Sequence, residues 1–365
     1  MHDSTVINLP DELCDVWPGC GNQTDQAQAA LKIQVQWDLR SGTLKLLTLH
    51  SGREQDRSAP VQTAPVVPGS LRLADLGYFD LSSFAHIGQA QAYWITRYLS
   101  GVNLYSADAK SNAKPIDLPE WLERQCTQSM SVDVPVLVGS MHRLPARLKV
   151  ARCGAIAIRV PQQVAESGPA PRTGREASRG HERRRKLHET ARRKGKTVSQ
   201  LSLVLADWTI FLTNIPPDLL TVDEILVIAR ARWQIELLFK LWKSVGHIDE
   251  SRSCKPYRIL CELYAKLTGQ VLQHALMLYT CWSYPESGPS RGHRSLVKAA
   301  AAKVALRGAI ASCATALLLA LQATDPAITI MIVVNLIARS VAATCRISPR
   351  TKKRATFQLL AIEMP

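Results

Sequence analysis

Arg232, Glu236, Lys240 and Lys243 stand four, four and three residues apart in ARARWQIELLFKLWKSVG, residues 229–246. On a helix this spacing sets one carboxylate in a line of cations along a single narrow stripe. At about 100° per residue the apolar residues Ala231, Ile235, Leu238, Phe239, Trp242 and Val245 gather on the neighbouring arc, the one such a helix buries. The charged line therefore runs along the edge of a core. Two readings suit it. In one, Glu236 pairs with Lys240 on a solvated face, worth ~0.3 kcal/mol and nothing further. In the other, Glu236 holds a metal ion while Arg232, Lys240 and Lys243 hold a polyanion beside it.

Two further acids sit where strands should present side chains. Asp75 follows the apolar LRLA and precedes Leu-Gly-Tyr-Phe, which puts it at a strand end beside a glycine turn, a place that open α/β sheets use for ligands. Asp3 precedes the strand-like TVINLP in a similar setting. Either one alone reads as a hydrogen-bonding turn residue. With Glu236 they make three carboxylates able to hold two divalent ions, hard oxygen ligation suited to Mg²⁺. Two such ions can activate water or a sugar hydroxyl and stabilise the leaving oxygen during attack on a phosphodiester.

Charge supports a polyanionic partner. Forty-five Lys and Arg against thirty Asp and Glu leave +15 over 365 residues, which favours nucleic acid over an anionic membrane surface. Residues 171–197 alone hold eleven Lys or Arg against three Glu, including the run Arg183, Arg184, Arg185, Lys186. This segment reads as an exposed arm or solvated helix, and its position suits a surface that neutralises phosphates without reading sequence. Nine irregularly spaced cysteines, with no CxxC and no zinc spacing, fit free thiols in a reducing cytoplasm. The apolar runs at 308–324 and 326–338 fall short of the ~18–20 strongly apolar residues of a bilayer span and are expected to be buried helices.

The elements that must position these residues follow from apolar periodicity. Residues 5–9, 31–39, 44–50, 71–75, 92–99, 133–138 and 147–160 read as strands, with a hairpin at RSGT between the second and third. Residues 201–216 read as one or two more strands. Thr221 can then cap a helix through Glu224, and a helical pattern runs from there to about 248 and again over 261–282. With 46% hydrophobic residues the chain can bury a sizeable core.

The segment 229–246 resembles the Tyr-x2-Arg-x3-Glu-x6-Lys signature of DDE transposases of the insertion-sequence-four group, with Arg232, Glu236 and Lys243 in register and Ala229 in place of the Tyr. DSTVINLPDELCDVWPGCG (3–21) is similar to the block carrying the family's first acid, and LADLGYF (73–79) to the block carrying the second. The similarity continues through residues 247–270 to 346–360. It implies an α/β ribonuclease H-like catalytic core, a mixed sheet with flanking helices, interrupted by a β-rich insertion and followed by a helical C-terminal region. Its parts would be 1–110, an insertion at 111–216 with the basic arm 171–197, a second core part at 217–285, and 286–365.

The resemblance further implies cut-and-paste DNA transposition. Asp3, Asp75 and Glu236 would hold two Mg²⁺ or Mn²⁺ ions, and Arg232, Lys240 and Lys243 would contact phosphates near the cleaved end. Trp208 lies about one position from the family's base-stacking Trp, so it is a candidate for that role as well as for core packing. Partners would be transposon ends and target DNA, bound by a homodimer, in a bacterial cytoplasm at the nucleoid. Asp3 comes two residues after Met1, whereas family members carry a longer region before the first acid, so a truncated member is expected. A metal-dependent nuclease without strand transfer, or a catalytically dead DNA-binding remnant, are the alternatives.

Overall fold

The computed structural model describes residues 1–20, 29–110, 112–125, 131–152, 174–193 and 195–282. Its strands are β1 (His2–Asn8), β2 (Ala30–Trp37), β3 (Leu44–Ser51), β4 (Leu71–Ala74), β5 (Tyr93–Arg97), β6 (Leu104–Ser106), β7 (Ser131–Val138), β8 (Leu144–Arg152) and β9 (Trp208–Thr213). Its α-helices are α1 (Leu81–Gln89), α2 (Leu118–Gln125), α3 (Gly174–Arg193), α4 (Gln200–Ala206), α5 (Val222–Ala231), α6 (Trp233–Ser244) and α7 (Pro256–Trp282). The chain divides into two compact units, one of residues 1–54 with 231–365 and the other of residues 55–230. It is a mixed α/β protein. The expected helical region at 286–365, with its two apolar runs, lies outside the described residues, as does the expected strand continuation at 153–160.

In the first unit β1, β2 and β3 form an antiparallel sheet in that order. Leu31, Ile33, Val35 and Trp37 of β2 are at most 2% exposed, and Lys32 and Gln34 on its other face are also buried. A strand covered on both faces loses the alternation of a half-buried one, as the sequence LKIQVQW anticipates only in part. The predicted hairpin at RSGT is present: Asp38 accepts from Arg40 N and Ser41 Oγ, and Gly42 takes the left-handed φ of +71° that this turn requires. The Gly42 carbonyl then accepts from both Trp37 Nε1, at 2.6 Å, and His274 Nε2, at 2.8 Å, which pins α7 to the turn. On α7, Leu260, Leu263 and Leu267 make the buried stripe.

In the second unit the sheet order is β4-β5-β9-β8-β7-β6, parallel only between β4 and β5. Helix α1 links those two parallel strands. Asp80 caps it by accepting from Ser83 N, and Phe84 stacks on Trp94 of β5 at 4.5 Å. Lys149 of β8 is fully buried; its ammonium lies 3.0 Å from Asp133 Oδ2 and donates to the Leu220 carbonyl. That contact fixes the chain just before α5, where Thr221 and Glu224 form the predicted capping box: Thr221 N donates to Glu224 Oε2 and Glu224 N to Thr221 Oγ1.

Three expectations are corrected. Asp3 lies inside β1, opposite Val35, rather than before the strand. Residues 200–206 are the helix α4, not a strand, because Ser199 caps it through Ser202 N and so satisfies a backbone donor locally. Of the two readings of the basic segment, exposed arm or solvated helix, its described part takes the second: a 20-residue helix, α3. The single helix expected from 222 to 248 is two, α5 and α6, broken at Arg232 although its φ of −53° and ψ of −33° are helical.

The His274 contact has a pH consequence. Burial holds its imidazole below the usual pKa of 6.5, against a smaller upward pull from the Gly42 hydrogen bond. A depressed folded-state value means that the folded chain prefers the neutral ring, so this stabilisation is complete above about pH 6.5 and is lost as pH falls below it. The melting temperature should therefore drop between about pH 7.5 and pH 5.5, and His274→Gln, which keeps a donor for Gly42 but cannot titrate, should drop less when both are followed by circular dichroism.

Candidate functional site

Two of the three acids singled out in the sequence meet in the first unit. Asp3 is carried by β1 and Glu236 by α6, two elements that contact each other, and Ile235, Leu238, Phe239 and Trp242 of α6 are buried. Between them stands Arg232. Its Nη2 donates to Glu236 Oε1 at 2.5 Å, one helical turn on, and its Nη1 lies 3.5 Å from Asp3 Oδ2. Ser4 N also donates to Asp3, holding the other oxygen, Oδ1, at 2.8 Å. The side chains of Arg232, Asp3 and Glu236 are 21%, 17% and 33% exposed, so the cluster is shielded enough for its charges to interact more strongly than an open surface pair.

The line of charges that opens the sequence reading is therefore wired differently from the simple helix pair. Glu236 turns back to Arg232, not forward to Lys240, which is exposed. Lys243 donates to the Val6 carbonyl at 3.1 Å and so ties the end of α6 to the strand that carries Asp3. Trp233, beside Arg232, is 57% exposed, a large aromatic on the solvent side of α6.

Asp75 belongs to the second unit. It follows β4 and begins a 3-10 turn, Leu76–Tyr78, with φ −78° and ψ 165°; Tyr78 N donates to the Asp75 carbonyl at 3.0 Å. The strand-end position expected from LRLADLGYF is what the backbone adopts. Among the described residues no three His, Cys, Asp or Glu side chains are grouped to hold a metal ion. What the fold brings together is the Asp3 and Glu236 pair around one guanidinium. Carboxylates are the hard oxygen donors a divalent ion takes, and here both have Arg232 as their shared cation.

The remaining candidates lie on α3 and β9. Arg183 donates to the Trp208 carbonyl at 3.0 Å and to Thr209 Oγ1, and Arg184 pairs with Asp207, so both fasten α3 to the start of β9. Arg185 pairs with Glu189 at 3.5 Å and Lys186 with Glu182 at 3.2 Å along the exposed face of the helix. Trp208 is 8% exposed, with the Arg152 guanidinium 5.7 Å over its ring. A base could stack there only after Arg152 moved away. Among the described residues no helix is long and apolar enough to cross a membrane.

Sequence reasoning missed the Asp3–Arg232 contact and the Lys243–Val6 bond, since nothing local relates positions so far apart in the chain. It also passed over Arg72, a charged residue inside the apolar run LRLA, whose type at that position was a visible signal.

A family model described as "Transposase DDE domain" matches residues 1–272. Among curated proteins the chain is 27% identical over 290 residues to the transposase for insertion sequence element IS231F of Bacillus thuringiensis subsp. israelensis, covering 76% of this chain and 56% of that protein. It is 29% identical over 282 residues to the transposase for IS231C of Bacillus thuringiensis subsp. berliner, covering 73% and 53%. It is 22% identical over 295 residues to the transposase for IS1151 of Clostridium perfringens, covering 76% and 56%. The chain thus spans little more than half the length of these relatives.

Replacing Arg232 by Met should remove the guanidinium that Asp3 and Glu236 share. Urea unfolding at neutral pH without divalent ions should show a loss of about 1–2 kcal/mol, with part of it recovered in millimolar Mg²⁺ as the ion replaces the lost charge.

Proposed function

Because the chain belongs to the transposase DDE domain family, we propose that it cuts DNA at the ends of an insertion sequence and joins those ends to a target. Asp3, Asp75 and Glu236 are the metal-holding carboxylates of this reading, with two Mg²⁺ or Mn²⁺ ions, on a ribonuclease H-like core that 111–216 interrupts as an insertion. Arg232, Glu236 and Lys243 align it with the insertion-sequence-four group. When bound, such ions lower the pKa of the attacking water or 3′-hydroxyl and stabilise the leaving oxygen.

The observation that carries the reading is the shared guanidinium. Arg232 joins a carboxylate near one end of the described chain to one 233 residues later, and does so with a side chain whose fork suits phosphate as well as carboxylate. At a DNA end Arg232 exchanges one carboxylate for a phosphate oxygen, which leaves the acids to the metal. Lys240 lies exposed on the same helix and supplies charge to the neighbouring phosphate. Lys243 keeps α6 seated against β1 and presents the remainder of its hydrogen-bonding capacity outward.

The basic helix α3 contributes sequence-independent affinity. Arg185 and Lys186, with Arg192 and Arg193 in its last turn, face solvent, while Arg183 and Arg184 hold the helix in place. Trp208 stacks on a displaced base once Arg152 has left its ring. DNA ends and target DNA are the partners, and two copies of the chain hold a pair of ends at the nucleoid.

The test uses the purified chain, Mg²⁺ or Mn²⁺, and duplexes taken from the DNA flanking its coding sequence. Metal-dependent nicking at one position and joining of pre-cut 3′ ends to a plasmid are expected, with Glu236→Ala lowering both by at least about a hundredfold. Nicking without joining favours a nuclease, and binding without either favours a DNA-binding remnant. In a separate measurement, affinity for the same duplex should fall steeply from low to moderate salt, and Arg192→Ala with Arg193→Ala should reduce the slope by about two.

A further inference from the structure

Three residues before Asp75 and three residues after it, the chain is tied to one glutamine. Arg72, on β4 and 7% exposed, points its Nη1 at Gln62 Oε1, 3.5 Å away, and at Ser83 Oγ, 3.3 Å away; its Nη2 donates to the Val61 carbonyl at 3.2 Å. Gln62, 6% exposed, donates Nε2 to the Tyr78 carbonyl at 2.8 Å. Ser83, on α1, turns its hydroxyl to Gln62 Oε1 and to the Gln62 carbonyl, at 3.2 and 3.3 Å.

These three acceptors of Arg72 are all neutral oxygens. A buried guanidinium held by amides and a hydroxyl is costly compared with one facing a carboxylate, and burial pulls its pKa below the ordinary arginine value. What the arrangement gives in return is orientation. A guanidinium only donates, so Gln62 must offer it the amide oxygen, and its NH₂ group is thereby aimed at Tyr78. The Tyr78 carbonyl closes a three-residue 3-10 turn and is one of the orphan acceptors that such an end leaves. Asp75 starts that turn, and its own carbonyl accepts from Tyr78 N. The backbone on both sides of the acid is thus referred to the same side chain.

We propose that Arg72 and Gln62 form a buried strut that fixes the backbone on either side of Asp75, and with it the direction of the Asp75 carboxylate, so that Arg72 is a positioning residue. The strut rests on the reading of Asp75 as a metal ligand only for its functional consequence; the mechanical claim stands on the geometry of the turn.

Gln62→Glu separates positioning from plain stability. It keeps the size of the side chain and gives Arg72 an ion-pair partner, but removes the donor to Tyr78 and sets a carboxylate oxygen against that carbonyl. The unfolding midpoint of the full chain should stay the same or rise. At the same time hydrogen exchange in peptides covering 75–80 should quicken by about tenfold, with peptides from α6 unchanged. Arg72→Met should quicken the same peptides while lowering the midpoint. Binding of Mn²⁺, followed by the electron paramagnetic resonance signal of the free ion, should weaken several-fold in Gln62→Glu. Unchanged exchange at 75–80 in Gln62→Glu, or exchange raised evenly over the whole 55–230 unit, would overturn the strut. Asp75→Asn in the otherwise native chain provides the second arm: unaltered Mn²⁺ binding there overturns the metal-ligand reading, while the exchange result still decides the strut.

Discussion

A guanidinium shared by two carboxylates is the contact from which the first unit takes its meaning. Asp3 and Glu236 are both partly buried, and Arg232 supplies each with a positive partner. The same cation fixes the seating of α6 on β1 from one side, and the Lys243 bond to the Val6 carbonyl fixes it from the other. Both contacts join a strand near residue 1 to a helix beyond residue 230, so the sheet and the signature helix depend on each other for their placement. The two carboxylates are thus held by packing and by one guanidinium, not gathered on demand.

The second unit uses polar groups inside its core in a comparable way. Lys149 is buried on β8 and holds the chain just ahead of α5 through Leu220, while Asp133 supplies its counter-charge. Thr213 and Asn214 extend the pattern at the end of β9, where Thr213 Oγ1 donates to the Trp94 carbonyl and the Asn214 amide bonds both Trp94 N and the Ala92 carbonyl. Arg72 and Gln62 do the same for the turn after β4. Lys149, Thr213, Asn214 and Gln62 each satisfy a backbone carbonyl far along the chain from their own position.

The distribution of charge suits the DNA partner proposed above. A large share of the net positive charge lies within 171–197, and the described part of that segment is a helix anchored by Arg183 and Arg184 to β9. Anchoring matters because a cation on a fixed helix presents its charge to a phosphate at a set distance, whereas one on a loose tail must be ordered at the moment of binding. Arg185 and Lys186 have i,i+4 acidic partners that are exposed, and such pairs are weak enough for a phosphate to displace.

The amino-acid sequence by itself determined the periodic elements: the three strands of the first unit, the turn at Gly42, the capping box of Thr221 and Glu224, and the buried arc of α6. Each depends on residues within a few positions of one another, and local propensity and spacing act over that range. It also determined that Asp75 would end a strand. Tertiary structure alone decided that Glu236 pairs with Arg232 and not Lys240, that Arg232 reaches Asp3, that Lys243 binds a strand carbonyl and that Trp208 packs beneath Arg152. An i,i+4 rule offers Glu236 a cation on either side with nearly equal energy. The choice falls to the side where a second carboxylate, brought by β1, makes the guanidinium the common partner, and the sequence pattern along one helix carries no trace of that distant charge.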